Sequence, residues 1–388
     1  MAPLTNAEKA ELKTSLLAQL ASTPFACTSL LELTNGTTNF VFRGQLQESR
    51  GANAATVIIK HTTGYAAANK DFAIDVTRSR FEETMLDALK AFQNESGHST
   101  ATTFTARAPE LLWFNRETNT QVLQDFADAI DLKASLLASA ADKQHPLSSQ
   151  KAAHSVGYAL GEWLHSFHAW TAAPEQVSLR DTVAANEPMR KLKHQITYDA
   201  LVRIVSPFDV AENDLAVLKE VQASAVVDFQ RLPHIADSSH WGIIHGDFWS
   251  GNVLLPSDLK DPRLFVVDWE FAQYGHRAYD VGQLIGDLLE RDHFRGAKAA
   301  LDILAGFSEG YGLPSLSKKD RDLLYRTAIH AGVHLICSMI RRAPSGPLPG
   351  TQEQVGEAIR LGVNLIVRGW TKDEEWFKSS VFKPLFST

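Results

Sequence analysis

The stretch Ile243-Ile244-His245-Gly246-Asp247-Phe248-Trp249-Ser250-Gly251-Asn252-Val253-Leu254-Leu255 places polar side chains between two apolar runs, and Phe265-Val266-Val267-Asp268-Trp269-Glu270 follows it. Phosphoryl transfer needs one carboxylate that accepts the proton of the attacking hydroxyl, and an amide and a second carboxylate that hold Mg²⁺ across the phosphates. The spacing Asp-x-x-x-x-Asn, followed by Asp after an apolar strand, supplies these groups. It predicts Asp247 as the base, and Asn252 and Asp268 as oxygen ligands of Mg²⁺.

The segment 245–252 resembles the catalytic loop of the aminoglycoside phosphotransferase and choline kinase superfamily, whose fold is similar to that of protein kinases. The triplet Asp268-Trp269-Glu270 is similar to the Asp-x-Glu metal motif of the methylthioribose kinase branch. The continuation through Tyr274-Gly275 and residues 279–282 also matches that branch. The segment 249–252, the triplet 268–270 and the following Tyr274-Gly275 resemble the fungal 4-hydroxytryptamine kinases as well. The resemblance extends over about residues 30–345 and is specific over 245–282.

This resemblance implies roles for the residues that match the motif. Asp247 would orient and deprotonate the acceptor hydroxyl, and Asn252 and Asp268 would bind Mg²⁺. Glu270 would be a third acidic contributor, with a supporting position behind the ligands as the alternative. His245 would brace the loop, and Asp280 would tether it from the start of a helix.

The first third of the chain supplies the residues that the resemblance assigns to the nucleotide. Residues 34–42, which include Asn39, resemble the hairpin that covers the nucleotide in this branch, although one glycine is a weak signal. Lys60 ends a β-branched run and matches the strand lysine that contacts the α- and β-phosphates. Glu82 on the next predicted helix matches the acid that pairs with this lysine, and Glu83 is the alternative in register.

The segment Gln124-Asp125-Phe126 matches the hinge, where Gln124 and Phe126 would bind adenine. After Asp125 the predicted elements change from strands to helices. We therefore expect an α+β, protein-kinase-like fold with two lobes. These are a β-rich nucleotide-binding lobe over residues 1–124 and a helical catalytic and substrate lobe over residues 125–388, with a ligand cleft at their junction.

Local patterns predict several individual elements. Thr5 and Glu8 form a capping-box pattern before leucines at helical spacing. Residues 56–60 are predicted to form a strand, residues 77–92 a helix, and Asn35-Gly36 a hairpin turn. Gly157, Gly161 and His168 are interpreted as parts of a packed helix with a hydrogen-bonded histidine.

The acceptor of the phosphoryl group is the least determined feature. The resemblance implies a small-molecule hydroxyl, either on a sugar such as methylthioribose or on an amine-bearing alcohol or phenol such as a hydroxytryptamine. Trp249, Arg341 and Arg342 are candidate acceptor contacts, because methylthioribose kinases carry twin arginines late in the chain. Two cations that stabilise the C-terminal end of a helix are an equally good interpretation of Arg341 and Arg342.

Bulk composition narrows the compartment and the partners. The 388 residues carry a formal net charge of −7, so bulk charge predicts binding neither to nucleic acid nor to an anionic membrane. The sequence has two cysteines and no apolar signal core or bilayer-length run, which predicts a cytoplasmic enzyme. The oligomeric state is not predicted by any of these patterns.

Two other functions remain as alternatives. A protein kinase is disfavoured because the segment between Asp268 and Asp280 is too short for an activation loop with a peptide platform. A non-catalytic nucleotide-binding protein is disfavoured by the complete set of Lys60, Asp247, Asn252 and Asp268.

Overall fold

The computed structural model describes residues 3–34, 36–50, 54–95, 104–234, 240–318, 320–342 and 349–386. The chain divides into two compact units, the first made of Met1–Ala91 with Ala108–Asp128 and the second of Phe92–Arg107 with Ala129–Thr388. Strands dominate the first unit and helices the second. The predicted α+β class, β-rich at the N-terminal end and helical at the C-terminal end, is confirmed. The boundary at residue 124 stays a prediction.

The elements are numbered in chain order. The helices are α1 (Asn6–Leu20), α2 (Arg78–Glu95), α3 (Leu132–Ala141), α4 (Gln150–Ala172), α5 (Val177–Ala184), α6 (Glu187–His194), α7 (Leu201–Val205), α8 (Glu212–Gln230), α9 (Ala278–Arg295), α10 (Ala299–Tyr311), α11 (Arg321–Arg342), α12 (Gln352–Trp370), α13 (Glu374–Lys378) and α14 (Lys383–Phe386). The strands are β1 (Cys27–Leu33), β2 (Phe40–Arg50), β3 (Ala54–His61), β4 (Tyr65–Ala66), β5 (Asn69–Ala73), β6 (Thr105–Arg107), β7 (Leu111–Asn115), β8 (Thr120–Gln124), β9 (Ala129–Asp131), β10 (Trp241–Ile244), β11 (Val253–Pro256), β12 (Arg263–Val266) and β13 (Gln273–His276).

The first unit is built on an antiparallel sheet in the order β1-β2-β3-β8-β7. Helix α1 opens with the predicted capping box, in which the Thr5 side chain accepts from the Glu8 N–H and Glu8 bonds back to the Thr5 N–H. Its buried leucines, Leu16 and Leu20, pack against one face of the sheet. The strands on either side of the predicted turn are confirmed as β1 and β2, whereas Asn35 lies outside the described residues.

Strand β3 positions Lys60 through the alternation of its side chains. Val57 and Ile59 belong to the apolar cluster that contains the leucines of α1. Because successive residues of a strand point to opposite faces, Lys60 points to the other face. Its partner there is Glu82 of α2, so the sheet separates the apolar core under α1 from the ion pair with α2.

The second unit contains two small sheets whose strands flank the loop 245–252 and Asp268. Strands β10 and β13 pair antiparallel, with Ile244 opposite Gln273. Strands β11 and β12 also pair antiparallel, with Val253 opposite Val266, in a sheet ordered β6-β12-β11-β9. These pairings hold both ends of the loop between β10 and β11 next to the segment that carries Asp268.

Helices α4 and α10 contact each other backbone to backbone, which confirms the structural interpretation of Gly157 and Gly161. A Cβ atom at Gly157 would lie 2.1 Å from the main-chain oxygen of Ile303, and one at Gly161 would lie 2.2 Å from that of Phe307. Side chains larger than hydrogen would therefore separate the two helices.

In the described part of the chain, no helix has the length and hydropathy needed to cross a membrane.

Candidate active site

The loop between β10 and β11 is anchored by the first turn of α9. Asp280 accepts hydrogen bonds from the main-chain N–H groups of His245 at 2.7 Å and Gly246 at 2.9 Å. Gly246 has a φ of +78°, and a Cβ there would lie 2.2 Å from the main-chain oxygen of Phe271. Only glycine fits this position without strain. The predicted tethering role of Asp280 is confirmed.

Two buried histidines complete this anchor in their neutral forms. Burial lowers the pKa of His245, whose Nε2 lies 3.0 Å from the Val267 oxygen and whose Nδ1 accepts from the Asp247 N–H at 3.2 Å. Because a carbonyl oxygen can only accept, Nε2 carries the proton. Burial also lowers the pKa of His168 to about 4. The predicted bracing role of His245 is confirmed.

His168 links Asp280 to helix α10. Its Nε2 lies 3.1 Å from Asp280 Oδ2, and its Nδ1 lies 2.8 Å from the hydroxyl of Tyr311. A neutral imidazole that donates to the carboxylate and accepts from the hydroxyl satisfies both contacts. His168 therefore holds the carboxylate of Asp280, which in turn anchors the loop.

The carboxylate of Asp247 accepts hydrogen bonds on both of its oxygens. Oδ1 accepts from the Lys193 ammonium at 2.9 Å and from Gln283 Nε2 at 2.7 Å. Oδ2 accepts from Asn252 Nδ2 at 3.1 Å and from Trp249 Nε1 at 3.2 Å. The side chain is 24% exposed, so this oriented carboxylate can still be reached by a hydroxyl group.

Asn252 lies beside both other predicted functional groups. Its amide nitrogen donates to the main-chain oxygen of Asp247 at 2.9 Å as well as to the carboxylate. Its own main-chain oxygen accepts from the N–H of Val267, the residue before Asp268, at 3.0 Å. Because the amide nitrogen is used on Asp247, the amide oxygen is the atom of Asn252 available as a metal ligand.

The predicted metal-binding triplet begins with an unusual backbone. Asp268 has a φ of +69°, a left-handed conformation that aspartate tolerates better than most residues. The short helical turn Trp269–Phe271 follows it and buries Glu270 completely. The amide nitrogen of Asn186 in turn holds the main-chain oxygens of Glu270 and Ala272 at 3.0 and 2.8 Å. The side chains of Asp268 and Glu270 are carboxylates, and carboxylate oxygens are the kind of ligand that Mg²⁺ prefers.

In the first unit, Lys60 and Glu82 form a buried ion pair, with 2.7 Å between Nζ and Oε2 and side chains that are 6% and 3% exposed. Glu83, the alternative in register, instead binds Arg116 at the surface. The structure therefore assigns the pairing to Glu82. Breaking such a pair on one side leaves an uncompensated buried charge.

The remaining nucleotide-contact predictions differ in how they fit the structure. Asn39 is buried, and its amide oxygen accepts from Thr62 and Arg78, both at 3.0 Å, which gives Asn39 a structural role in its hairpin. The main-chain N–H of Gln124 donates to Glu110 at 2.9 Å and is not available to adenine. Nucleotide contacts by Asn39, Gln124 and Phe126 stay predictions.

Of the acceptor candidates, Trp249 is next to the predicted base. Its indole N–H donates to Asp247, and the Lys133 ammonium lies 5.3 Å from its ring centroid. Arg341 and Arg342 are the last residues of α11, and their side chains lie outside the described residues.

The motif does not include Lys193, Gln283 or Asp287, which all support the loop. Asp287 accepts hydrogen bonds from both the N–H and the hydroxyl of Ser250. Asp280, Gln283 and Asp287 recur at i, i+3 and i+7 in a helix that is otherwise largely apolar, and this polar stripe is a signal that could have identified two of them. Lys193 has no comparable local signal.

A second buried polar cluster contains Asp287, Glu290 and His334, whose potential ligand atoms lie within 4.8 Å of one another. Arg291 is 2.8 Å from Asp287 and 3.6 Å from Glu290. The hydroxyl of Ser338 donates to Glu290 at 2.5 Å. Arg291 pairs with both carboxylates, and Asp287 also holds Ser250, so this cluster supports the loop from α9.

The second unit also has a cavity of about 290 Å³ whose lining includes Tyr198, Tyr279, Asp228 and Arg326. The Asp228 carboxylate accepts from the Tyr279 hydroxyl at 2.9 Å and from Arg326 at 2.7 Å. Of the predicted site residues whose side chains the structure describes, none lines this cavity.

Comparison with known proteins extends the likeness beyond the motif. The model of a family described as the phosphotransferase enzyme family matches residues 86–316, more than half of the chain. Phosphotransferase FrzJ of Cladobotryum sp is 27% identical over 395 residues, which cover 98% of each chain.

Two further relatives bear on the acceptor. The 4-hydroxytryptamine kinase of Psilocybe cyanescens is 24% identical over 276 residues, 70% of this chain and 71% of the relative. Methylthioribose kinase 1 of Oryza sativa subsp. japonica is 28% identical over 115 residues, only 30% of this chain and 24% of the relative. The likeness to the hydroxytryptamine kinase is confirmed over most of the chain, whereas the likeness to methylthioribose kinase is partial.

Proposed function

Because this chain belongs to the phosphotransferase enzyme family, we propose that it is an ATP- and Mg²⁺-dependent small-molecule kinase that transfers the γ-phosphoryl group of ATP to a hydroxyl group of a metabolite. The observation that carries the proposal is the bonded pair of Asp247 and Asn252. In this pair the carboxylate of Asp247 is oriented by the amide nitrogen of Asn252, and the amide oxygen of Asn252 would bind the metal ion.

Mg²⁺ would be held by oxygen atoms of Asn252 and Asp268, with Glu270 as a third contributor. The hydrogen bonds of Asn252 support this set, because they leave its amide oxygen for a ligand. When bound, the ion neutralises charge on the phosphates.

Asp247 would act directly on the acceptor. Its carboxylate, fixed by Lys193 and Gln283 on one oxygen, accepts a hydrogen bond from the acceptor hydroxyl and takes its proton as the bond to phosphorus forms. The bond between the γ-phosphorus and the β–γ bridging oxygen breaks at the same time, so ADP leaves and the other product is a phosphate monoester. Most of the rate enhancement comes from positioning and from charge stabilisation.

The nucleotide-binding part of the proposal rests on the β-rich lobe, residues 1–124, and on the hinge. Lys60, oriented by Glu82, contacts the α- and β-phosphates in this account. Backbone groups of Gln124 and Phe126 bind adenine, and the Gln124 contact uses its carbonyl, since its N–H is already bonded within the unit. Residues 125–388 form the catalytic and substrate lobe.

The acceptor that we propose is an amine-bearing alcohol or phenol, with a sugar of the methylthioribose type as second candidate. The extent of the two likenesses supports this order, since the hydroxytryptamine kinase aligns with 70% of this chain and the methylthioribose kinase with 30%. Trp249 supplies an aromatic surface beside Asp247, and Arg341 and Arg342 are proposed contacts for the second candidate. The two cysteines are buried and are not joined in a disulfide, which fits a reducing cytoplasm.

Of the alternatives, a protein kinase is disfavoured by the segment between Asp268 and Asp280. A short helical turn, strand β13 and the first residues of α9 occupy it, which leaves no length for an activation segment. A non-catalytic nucleotide-binding protein is distinguished by turnover alone.

A mass-spectrometric screen tests the proposal. The purified protein would be incubated with ATP, Mg²⁺ and a panel of 4-hydroxytryptamine, choline, ethanolamine, 1-aminopropan-2-ol, 5-methylthioribose and an aminoglycoside. We expect one acceptor to gain 80 Da in the presence of Mg²⁺ and not in EDTA. Binding of ATP with no phosphorylated product from the panel or from a metabolite extract would contradict the kinase assignment and favour the non-catalytic alternative.

A further inference from the structure

Lys193, which lies 54 residues earlier in the chain, pairs with the carboxylate of Asp247 at 2.9 Å. Lys193 is the penultimate residue of α6, a helix of the segment between α4 and the loop, and its side chain is 4% exposed. Lysine side chains are rarely buried unless their charge is paired. The position of Lys193 is therefore determined by its partners and not by solvation.

Lys193, Gln283 and Asp247 form a closed triangle of hydrogen bonds. The ammonium donates to Asp247 Oδ1 at 2.9 Å and to Gln283 Oε1 at 2.7 Å, and Gln283 Nε2 donates to the same Oδ1 at 2.7 Å. The ring of Phe271 lies 5.7 Å from the ammonium, within the range of a cation–π contact. Each member of the triangle thus fixes the other two.

The two oxygens of Asp247 are held unequally. Oδ1 has the two shorter contacts, one of them to a cation, whereas the Oδ2 contacts to Asn252 and Trp249 are 3.1 and 3.2 Å long. Hydrogen bonds to a charged donor are the stronger ones. Oδ1 is therefore the more firmly held oxygen, and Oδ2 is the oxygen left for an incoming hydroxyl.

Resting on the proposed function, we infer that Lys193 is a positioning residue for phosphoryl transfer. With Gln283 it holds Oδ1 and prevents rotation of the carboxylate, so that Oδ2 is presented to the acceptor hydroxyl. Helix α6 therefore contributes to catalysis from outside the motif.

The consequence is a specific dependence of turnover on this ammonium. Loss of the lock lets the carboxylate rotate, and a misplacement of about 1 Å can reduce the rate by about 100-fold. Binding of ATP does not use this contact. Lys193→Met should therefore lower kcat by about 100-fold and change KM for ATP by less than about twofold, and Lys193→Arg should retain more activity because it restores a charged donor.

Steady-state kinetics with the panel acceptor that the wild-type protein phosphorylates would measure these effects. Lys191→Met is the matched control, because Lys191 lies on the same helix, is largely exposed and pairs with the exposed Glu187 across one turn. We expect it to behave as the wild-type protein does. A kcat of Lys193→Met within threefold of wild type would overturn the inference while leaving the kinase proposal intact.

Chemical rescue separates positioning from a structural role. In Lys193→Ala, added methylammonium should restore a measurable fraction of kcat, whereas tetramethylammonium, which has no N–H donor, should not. Equal effects of the two cations would contradict a positioning role. If the Lys193 variants do not fold, Gln283→Met tests the same lock, and an unchanged kcat in that variant would also overturn it. No product from the wild-type protein would instead mean that the proposed function itself has failed.

Discussion

The amide nitrogen of Asn252 bonds to both the main-chain oxygen and the carboxylate of Asp247, at 2.9 and 3.1 Å. One side chain therefore holds the predicted base through its amide nitrogen. In the proposed function the amide oxygen of the same residue would bind Mg²⁺, so a change at either residue should affect both proton acceptance and metal binding.

Replacing Asn252 by aspartate tests this link. Asn252→Asp keeps an oxygen ligand for Mg²⁺ but removes the amide donor and places a second negative charge beside Asp247. We expect kcat to fall by at least about 100-fold and the free energy of unfolding to fall by about 1–3 kcal/mol. Turnover assays and urea unfolding would measure the two effects.

Asn115→Asp is the control for Asn252→Asp. Its side-chain oxygen accepts from the N–H groups of Glu117 and Thr118 in a turn, and a carboxylate can do the same. Loss of activity in both variants would show that the effect at Asn252 is not specific to the site.

Asp268 is expected to be essential for Mg²⁺-dependent binding of ATP. Asp268→Asn tolerates the left-handed φ of +69° and keeps the shape of the side chain, but it removes the charge that attracts the ion. Calorimetric titration with ATP should show that Mg²⁺ no longer raises the affinity. An undiminished effect of Mg²⁺ would move the metal site to other residues. Asp258→Asn, in an exposed turn, is the control.

The free energy of unfolding should depend strongly on the buried ion pair between Lys60 and Glu82. Lys60→Met leaves a buried carboxylate without its cation and should lower the free energy of unfolding by about 3–5 kcal/mol. The double variant Lys60→Met with Glu82→Leu should recover part of this loss, because neither charge then remains buried. Urea unfolding would measure both. A double variant less stable than either single variant would contradict this account.

An ion pair at the surface provides the comparison for the Lys60 and Glu82 variants. Arg116, which is 67% exposed at its side chain, binds Glu83 on the same helix as Glu82. Exposed pairs contribute about 1 kcal/mol or less. Arg116→Met should therefore change stability much less than Lys60→Met does.

The neutral state of His168 makes stability depend on pH. The pKa of His168 falls from its ordinary 6.5 to about 4 on folding. Between these values the unfolded chain binds more protons than the folded protein, so stability is complete above pH 6.5 and decreases as the pH is lowered. The decrease attributable to His168 reaches about 3 kcal/mol by pH 4.

His168→Gln isolates this contribution. A glutamine can donate to Asp280 and accept from Tyr311 but does not titrate. Urea unfolding at several pH values between 7.5 and 4.5 should give a shallower loss of stability for the variant than for the wild-type protein. Parallel curves would mean that His168 does not carry the pH dependence.

Much of the site follows from sequence because its spacing is local. Asp247, Asn252 and Asp268 lie on one loop and an adjoining hairpin, so the order of short apolar strands and polar residues determines their neighbours. The capping box at Thr5 and the assignment of Lys60 to a strand are local in the same sense. For the partner of Lys60 the sequence leaves two adjacent residues, Glu82 and Glu83. The packing of α2 places Glu82 against Lys60.

The contacts that sequence reasoning missed are tertiary. Lys193 reaches Asp247 across 54 residues and Gln283 across 90, and no periodicity in α6 marks one lysine as buried beside a carboxylate. Asn39 shows the converse, because its position in the hairpin suggested a nucleotide contact whereas its amide oxygen is bonded inside the unit. Side chains of this kind are placed by packing between distant elements.

The most direct test of the central claim compares the wild-type protein with Asp247→Asn. Both would be incubated with γ-labelled ATP, Mg²⁺ and the acceptor identified in the screen, and transfer of label to the acceptor and affinity for ATP would be measured together. The account predicts that the variant binds ATP within about twofold of wild type and transfers label at least about 100-fold more slowly. Transfer by Asp247→Asn at a rate near that of the wild-type protein would contradict the role of Asp247 as the base.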